Sequence, residues 1–166
     1  DYIGKPFHFE EVVARVKVHH QTYLKEQQLK AEKEELAAQL NTSFRTFSES
    51  GLVELIQQGE SSNLEFKSTL RWNLHTNKAD KKMENVCLKT IAAYLNSDAG
   101  ILIIGVDDDG VSLGMDNDHF SSEDKLLLHF NNLSKSLLGS EFCQHIRATV
   151  ETYREKRILL VQCLKS

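Results

Sequence analysis

Hydrophobic and polar positions divide this chain into two parts with different periods. From Phe9 to about Phe47 there is no glycine or proline, and Val13, Val16, His20, Tyr23 and Gln27 recur at spacings of three and four. Leu29, Lys33, Leu36 and Leu40 resume that spacing in a shifted register, so the pattern predicts one long helix containing a stutter. Lys25, Glu26, Lys30, Glu32, Lys33, Glu34 and Glu35 supply mixed charge for its outer faces. The expected assembly is a parallel dimeric coiled coil with Leu29, Leu36 and Leu40 in the seam. Several seam positions are polar, so a single helix packed on its own domain stays open as the alternative.

After Ser50-Gly51, which reads as a break, Leu52–Ile56 makes one short amphipathic turn and the pattern becomes mixed. It predicts a strand at Leu64–Lys67, a polar loop around Arg71–Ala79, a helix at about Lys81–Asn96 and a strand at Ile101–Asp107. A short strand near Val111–Leu113, a helix at about Glu123–Leu138 and two strands near Ile146–Tyr153 and Arg157–Cys163 follow. Glu155-Lys156 reads as the turn between those last two. Val86, Leu88, Ile91, Ala92 and Leu95 mark the apolar face of one helix, and Leu126, Leu127, Phe130, Leu133 and Leu137 that of the other. Strands and helices without regular alternation indicate an α+β fold, a mixed sheet with helices packed on it, preceded by the long helix.

Composition adds little, but charge distribution adds something. The chain has 166 residues, 40% apolar and 27% charged, with a formal net charge of -4, ordinary for one globular domain and an appendage. No apolar run is long enough to span a bilayer, which excludes a helical membrane protein and suggests a cytoplasmic one. Cys87, Cys143 and Cys163 are few, odd in number and set among apolar residues, so reduced core thiols are expected. Between Phe66 and Lys89 stand six basic residues, Lys67, Arg71, Lys78, Lys81, Lys82 and Lys89, against Asp80 and Glu84. Between Gly105 and Asp124 stand seven acidic residues and no lysine or arginine. Such a pairing suits a phosphate-binding surface beside an acidic cluster, and equally two solvated loops of opposite sign.

Two segments carry a family resemblance. Glu60-Ser-Ser-Asn-Leu-Glu65-Phe-Lys67 and Asn96-Ser-Asp-Ala-Gly-Ile-Leu-Ile-Ile-Gly-Val-Asp-Asp-Asp-Gly110 resemble the signature of the Schlafen AlbA_2 domain, a module associated with nucleic acids. The likeness continues through Leu113-Gly114, Asp118–Asp124 and Gly139–Phe142. Ala99 stands where the family usually has the first of two glycines, and the family pattern runs beyond the strand ending near Cys163, so terminal elements are expected to be missing. At the other end, Asp1-Tyr-Ile-Gly-Lys-Pro-Phe7 with Glu10–Lys17 resembles the close of a response-regulator receiver domain. That resemblance implies a phosphoryl-contacting role for Lys5 and a switch role for Tyr2. Residues 1–22 then read as a receiver remnant, 23–49 as a coiled-coil linker and 50–166 as the AlbA_2-like domain. The implied protein is a two-component response regulator with an upstream receiver, a partner histidine kinase and a dimeric output region that binds nucleic acid, with DNA the expected polymer.

Candidate site residues follow. Lys67, Arg71, Trp72, Lys78, Lys81 and Lys82 could hold phosphates and stack a base, helped by the amides at the start of the second helix. In Schlafen relatives that cut RNA, carboxylates matching Glu60, Glu65 and Asp108 bind a divalent metal, with Asp107 a neighbouring alternative here. Mg²⁺ or Mn²⁺ held by such oxygens could orient water and neutralise phosphate charge, which would make the chain a nuclease. The alternative roles for these acids are structural: a Glu65–Lys67 charge pair and a turn built by Asp107–Asp109. A dimerisation module without nucleic acid is the third reading. No cofactor is firmly implied. The glycines at 100, 105, 110 and 114 flank strands and form no phosphate-binding loop, and His19-His20 lacks companion ligands.

Overall fold

The computed structural model describes the backbone of residues 9–166 and their side chains except those of 9–12, 37 and 40–42. Tyr2 and Lys5, on which the receiver reading leans, and the side chain of Leu40 lie outside the described residues. The chain forms an α+β fold divided into two compact units, Asp1–Thr42 and Ser43–Ser166.

Helix α1 (Phe9–Ser43) spans the described residues of the first unit. Its seam residues Leu29 and Leu36 are 67% and 52% exposed, an apolar stripe with no cover from its own unit. The helix stops before Phe47 because the next residues belong to the second unit. Phe44 is buried there, and the Arg45 amide and carbonyl bond the side-chain amide of Gln162, both at 2.9 Å.

The second unit begins with α2 (Glu49–Gln57), a nine-residue helix capped by Ser48, whose hydroxyl accepts from the Gly51 amide. Ser50-Gly51 is thus the first turn of a helix and not a break, because the cap replaces the missing amide partner. In chain order follow β1 (Leu64–Lys67), β2 (Trp72–Asn73), β3 (Lys78–Ala79), α3 (Lys81–Leu95), β4 (Gly100–Ile104), α4 (Glu123–Leu137), β5 (Ile146–Tyr153) and β6 (Lys156–Cys163). The main sheet has the order β1-β4-β6-β5, with β1 parallel to β4 and the remaining pairs antiparallel.

Alternation along the strands sends side chains to two cores. Leu102, Ile104, Leu159 and Val161 pack beneath Leu88, Ile91 and Leu95 of α3 and Leu126 and Phe130 of α4. Leu64, Phe66, Ile103, Ile158 and Leu160 pack beneath Leu52 and Ile56 of α2. Each fully buried Leu or Ile contributes about 1.5–3 kcal/mol, so covering both faces is what makes so short a sheet stable.

Other expectations shift by small amounts for local reasons. The polar loop at 71–79 contains the β2–β3 hairpin, and Val111–Leu113 contributes only an isolated bridge between Val106 and Ser112. The last hairpin turns at Arg154-Glu155, with φ of 48° and 65°, leaving Lys156 as the first residue of β6. Cys87 and Cys163 are buried free thiols pushed up to about 12 by desolvation, and Cys143 is half-buried.

Candidate nucleic-acid interface

Leu64 and Phe66 of β1 face α2, so Glu65 and Lys67, alternating with them, face the α3 side. β1 is an outer strand, and its outward backbone groups need partners. Glu60 supplies one: the Phe66 N–H donates to its Oε1 at 2.8 Å. Lys67 supplies another, its Nζ donating to the Phe66 carbonyl at 2.7 Å while it pairs with Glu65 Oε1 at 2.5 Å. The Ser61 N–H donates to the Leu64 carbonyl at 2.8 Å. The charged residues of the E-x4-E-F-K motif therefore close a sheet edge.

Asp107 builds the turn after β4, its Oδ1 accepting from the Asp109 and Val111 amides at 3.1 and 2.8 Å. Asp108 is exposed on that turn. Among the described residues no three His, Cys, Asp or Glu side chains are grouped closely enough to hold a metal ion. As arranged, Glu60, Glu65 and Asp108 do not form a divalent-cation cage. The rest of the acidic run is also mostly engaged: Asp116 and Glu123 pair with Arg157, and Asp118 is buried.

Asp118 organises the basic side of the molecule. Its carboxylate accepts from the amides of Leu70, Arg71 and Trp72 at 2.9, 2.7 and 3.0 Å, fixing the chain after β1 onto the loop before α4. Burial pushes its carboxyl upward from the usual range, while the three amides and the Arg71 guanidinium pull it back. Arg71 is then held by its side chain as well. Nε donates to the Asp118 carbonyl at 2.8 Å, Nη2 donates to the His119 carbonyl at 3.1 Å, and the guanidinium lies 3.8 Å over the Phe120 ring. Trp72 is half-buried, its ring edge-on to His119 at 4.3 Å and its Nε1 donating to Asn77 Oδ1 at 3.2 Å.

These contacts wall one side of an open cleft of about 440 Å³, whose other side is α4 with Lys125, His129 and Asn132. His129 Nε2 lies 2.7 Å from Glu84 Oε1, which ties α4 to α3. The Arg71 carbonyl accepts from the Asp80 amide at 2.8 Å, so the cleft adjoins the start of α3, where Lys81 and Lys82 are exposed beside the exposed Lys78 of the hairpin. Of the expected contact residues, Arg71, Trp72, Lys78, Lys81 and Lys82 thus share one neighbourhood, and Lys67 is turned to the sheet edge. The start of α3 is not an open anion site: Asp80 already accepts from the Lys82 amide at 2.9 Å. That bond, then the Asn73 side-chain amide, holds the Asp80 carboxyl below its ordinary value.

The profile of the family described as Schlafen, AlbA_2 matches residues 60–166, well over half of the chain. This chain belongs to the Schlafen AlbA_2 family. No curated protein matches it. Among solved structures, it is similar to the N-terminal domain of a RecG-related protein from Nitrosomonas europaea, at 19% identity and a TM-score of 0.44, over 68% of this chain and 72% of that one.

Within this AlbA_2 domain, sequence reasoning missed His119, Phe120, Lys125 and His129. A signal for part of the set was present. Lys125, Leu128, His129 and Asn132 follow the i, i+3, i+4, i+7 spacing on the polar side of α4, opposite Leu126 and Phe130.

Proposed function

We propose that this Schlafen AlbA_2 chain binds nucleic acid through the cleft between Arg71 and α4 and through the lysines beside it. The supporting observation is the fixed Arg71: a guanidinium held by two carbonyls and an aromatic face presents its charge with little entropy left to lose on binding a phosphate. Lys78, Lys81, Lys82 and Lys125 extend that positive surface, and the Trp72–His119 pair offers aromatic edges at its rim. DNA is the polymer we assign. Replacing Lys78, Lys81 and Lys82 with Ala should lower affinity at least tenfold for any sequence alike. The slope of log affinity on log salt should fall by about one unit for each phosphate that is no longer neutralised. Fluorescence anisotropy on single-stranded and duplex DNA and RNA across a salt series checks this; unchanged affinity and slope in a folded variant would move the function to protein interaction.

We place this domain as the output region of a two-component response regulator, with α1 pairing in parallel with α1 of a second copy. The supporting features are the receiver-like Asp1–Lys17 segment and the exposed Leu29 and Leu36 stripe. Activation would change how two linked output domains are spaced. Sedimentation equilibrium should give a dimer at micromolar concentration, and Leu29→Glu with Leu36→Glu should give a monomer; a wild-type monomer with its helix intact removes this part of the reading.

A further inference from the structure

β5 is the other outer strand of the sheet. Its eight residues pair with β6 on one side and, among the described residues, with no strand on the other. Unlike β1, it has no side chain covering its edge: at its first residue the Ile146 N–H donates to the Cys143 carbonyl of the preceding turn, and beyond that no bond to the backbone of Ala148, Val150 or Thr152 comes from a side chain or loop among the described residues. The strand contains no glycine, proline or break in register that would blunt it.

The outward residues follow from the turn. A two-residue hairpin at Arg154-Glu155 closes on the pair Tyr153–Lys156, so Tyr153, Glu151, Thr149 and Arg147 turn their backbone groups to β6. Ala148, Val150 and Thr152 turn theirs outward. Arg147 and Glu151 lie on one face of the strand, half-buried, and neither has an ion pair among the described residues.

We propose that β5 pairs antiparallel with β5 of a second copy of this chain, about a two-fold axis at Thr149, joining two sheets into one. Charge selects both the occupant and the register. With the axis at Thr149, Arg147 lies opposite Glu151 of the second copy, and the symmetry repeats that pair. Ala148 lies opposite Val150 of the second copy as a hydrogen-bonded pair, which requires outward backbone groups on both and finds them. Shifting the axis to Arg147 or Glu151 keeps the backbone match but sets like charges directly opposite. This contact is independent of the nucleic-acid reading and of α1.

The test is disulfide trapping in the full chain with Cys143→Ser. Thr149→Cys falls opposite itself at a non-hydrogen-bonded position, where Cα atoms about 4.5 Å apart can be bridged, and Thr152→Cys falls opposite Ile146. Mild oxidation should link Thr149→Cys into dimers in at least fivefold higher yield than Thr152→Cys. Adding Glu151→Arg to Thr149→Cys should cut that yield several-fold. Mixing this variant with one carrying Arg147→Glu and Thr149→Cys should restore it, since each mixed pair again sets acid against base. Equal yields for the two cysteine positions, or a yield indifferent to Glu151→Arg, would overturn the proposal; restoration on mixing shows that the charge variants are folded.

Discussion

The β1 edge and the α4 cleft use charged residues in opposite ways. At β1, Glu60, Glu65 and Lys67 spend their hydrogen-bonding capacity on the backbone of Phe66 and on each other. At the cleft, the demanding backbone groups are satisfied by the buried carboxylate of Asp118, which leaves Arg71 positioned and Lys125, Lys81 and Lys82 facing solvent. The difference teaches that a charged motif marks a binding surface only where something else has met the needs of the local backbone. The residues most diagnostic of the family are, in this chain, fasteners of an edge strand.

The comparison breaks most severely at Asp118. Asp118→Ala leaves three amides without their acceptor in a buried place, and at about 1 kcal/mol or more for each, the loss should reach about 3 kcal/mol. A lower urea midpoint checks it, and nucleic-acid affinity should fall in the same variant because Arg71 is no longer held. A smaller, sharper test sets one residue from each region side by side. Glu60→Ala should cost about 1–2 kcal/mol of stability, by freeing the Phe66 amide on an open edge, and leave affinity within a factor of two. Lys125→Ala should do the reverse: stability within about 0.5 kcal/mol and affinity down about threefold to tenfold. If Glu60→Ala weakens binding as much as Lys125→Ala, the two regions are one surface.

Much of the fold was legible because its long elements carry strong periods. α3 and α4 begin where the sequence places them, and the expected strand Ile146–Tyr153 is β5 to the residue. The boundaries that moved depend on backbone features weakly written in residue type. Arg154 and Glu155 adopt positive φ although neither is Gly or Asn, which is why the turn was displaced by one residue. Ala99, which stands where the family usually has a glycine, sits at a φ of 74°, a conformation that costs an L-residue about 1–2 kcal/mol. The cleft was half legible. The basic residues of one wall lie close together in sequence, but Asp118 is separated from Arg71 by the β2–β3 hairpin, α3 and β4, and an acid in an acidic run gives no hint that it is buried. Only the fold shows which of the seven acids serves the basic side.

The finest test of the comparison is Glu65→Gln, where the expected effect is close to nothing. If Glu65 belongs to the edge, the variant loses only a partly exposed pair with Lys67, with side chains 33% and 24% exposed, which is worth at most about 1 kcal/mol. Wild type and variant should then bind Mn²⁺ equally weakly by calorimetry, and neither should cut RNA or DNA. Glu60→Gln makes the companion control, because its amide oxygen can still accept from the Phe66 N–H while its charge is gone. A nuclease would behave otherwise: removing one carboxylate from a cation site weakens the site by lost charge and lost coordination together, without touching the basic surface. Metal-dependent cleavage by wild type, abolished in both Glu60→Gln and Glu65→Gln with nucleic-acid affinity retained, would therefore show that the motif does chemistry as well as fastening the edge.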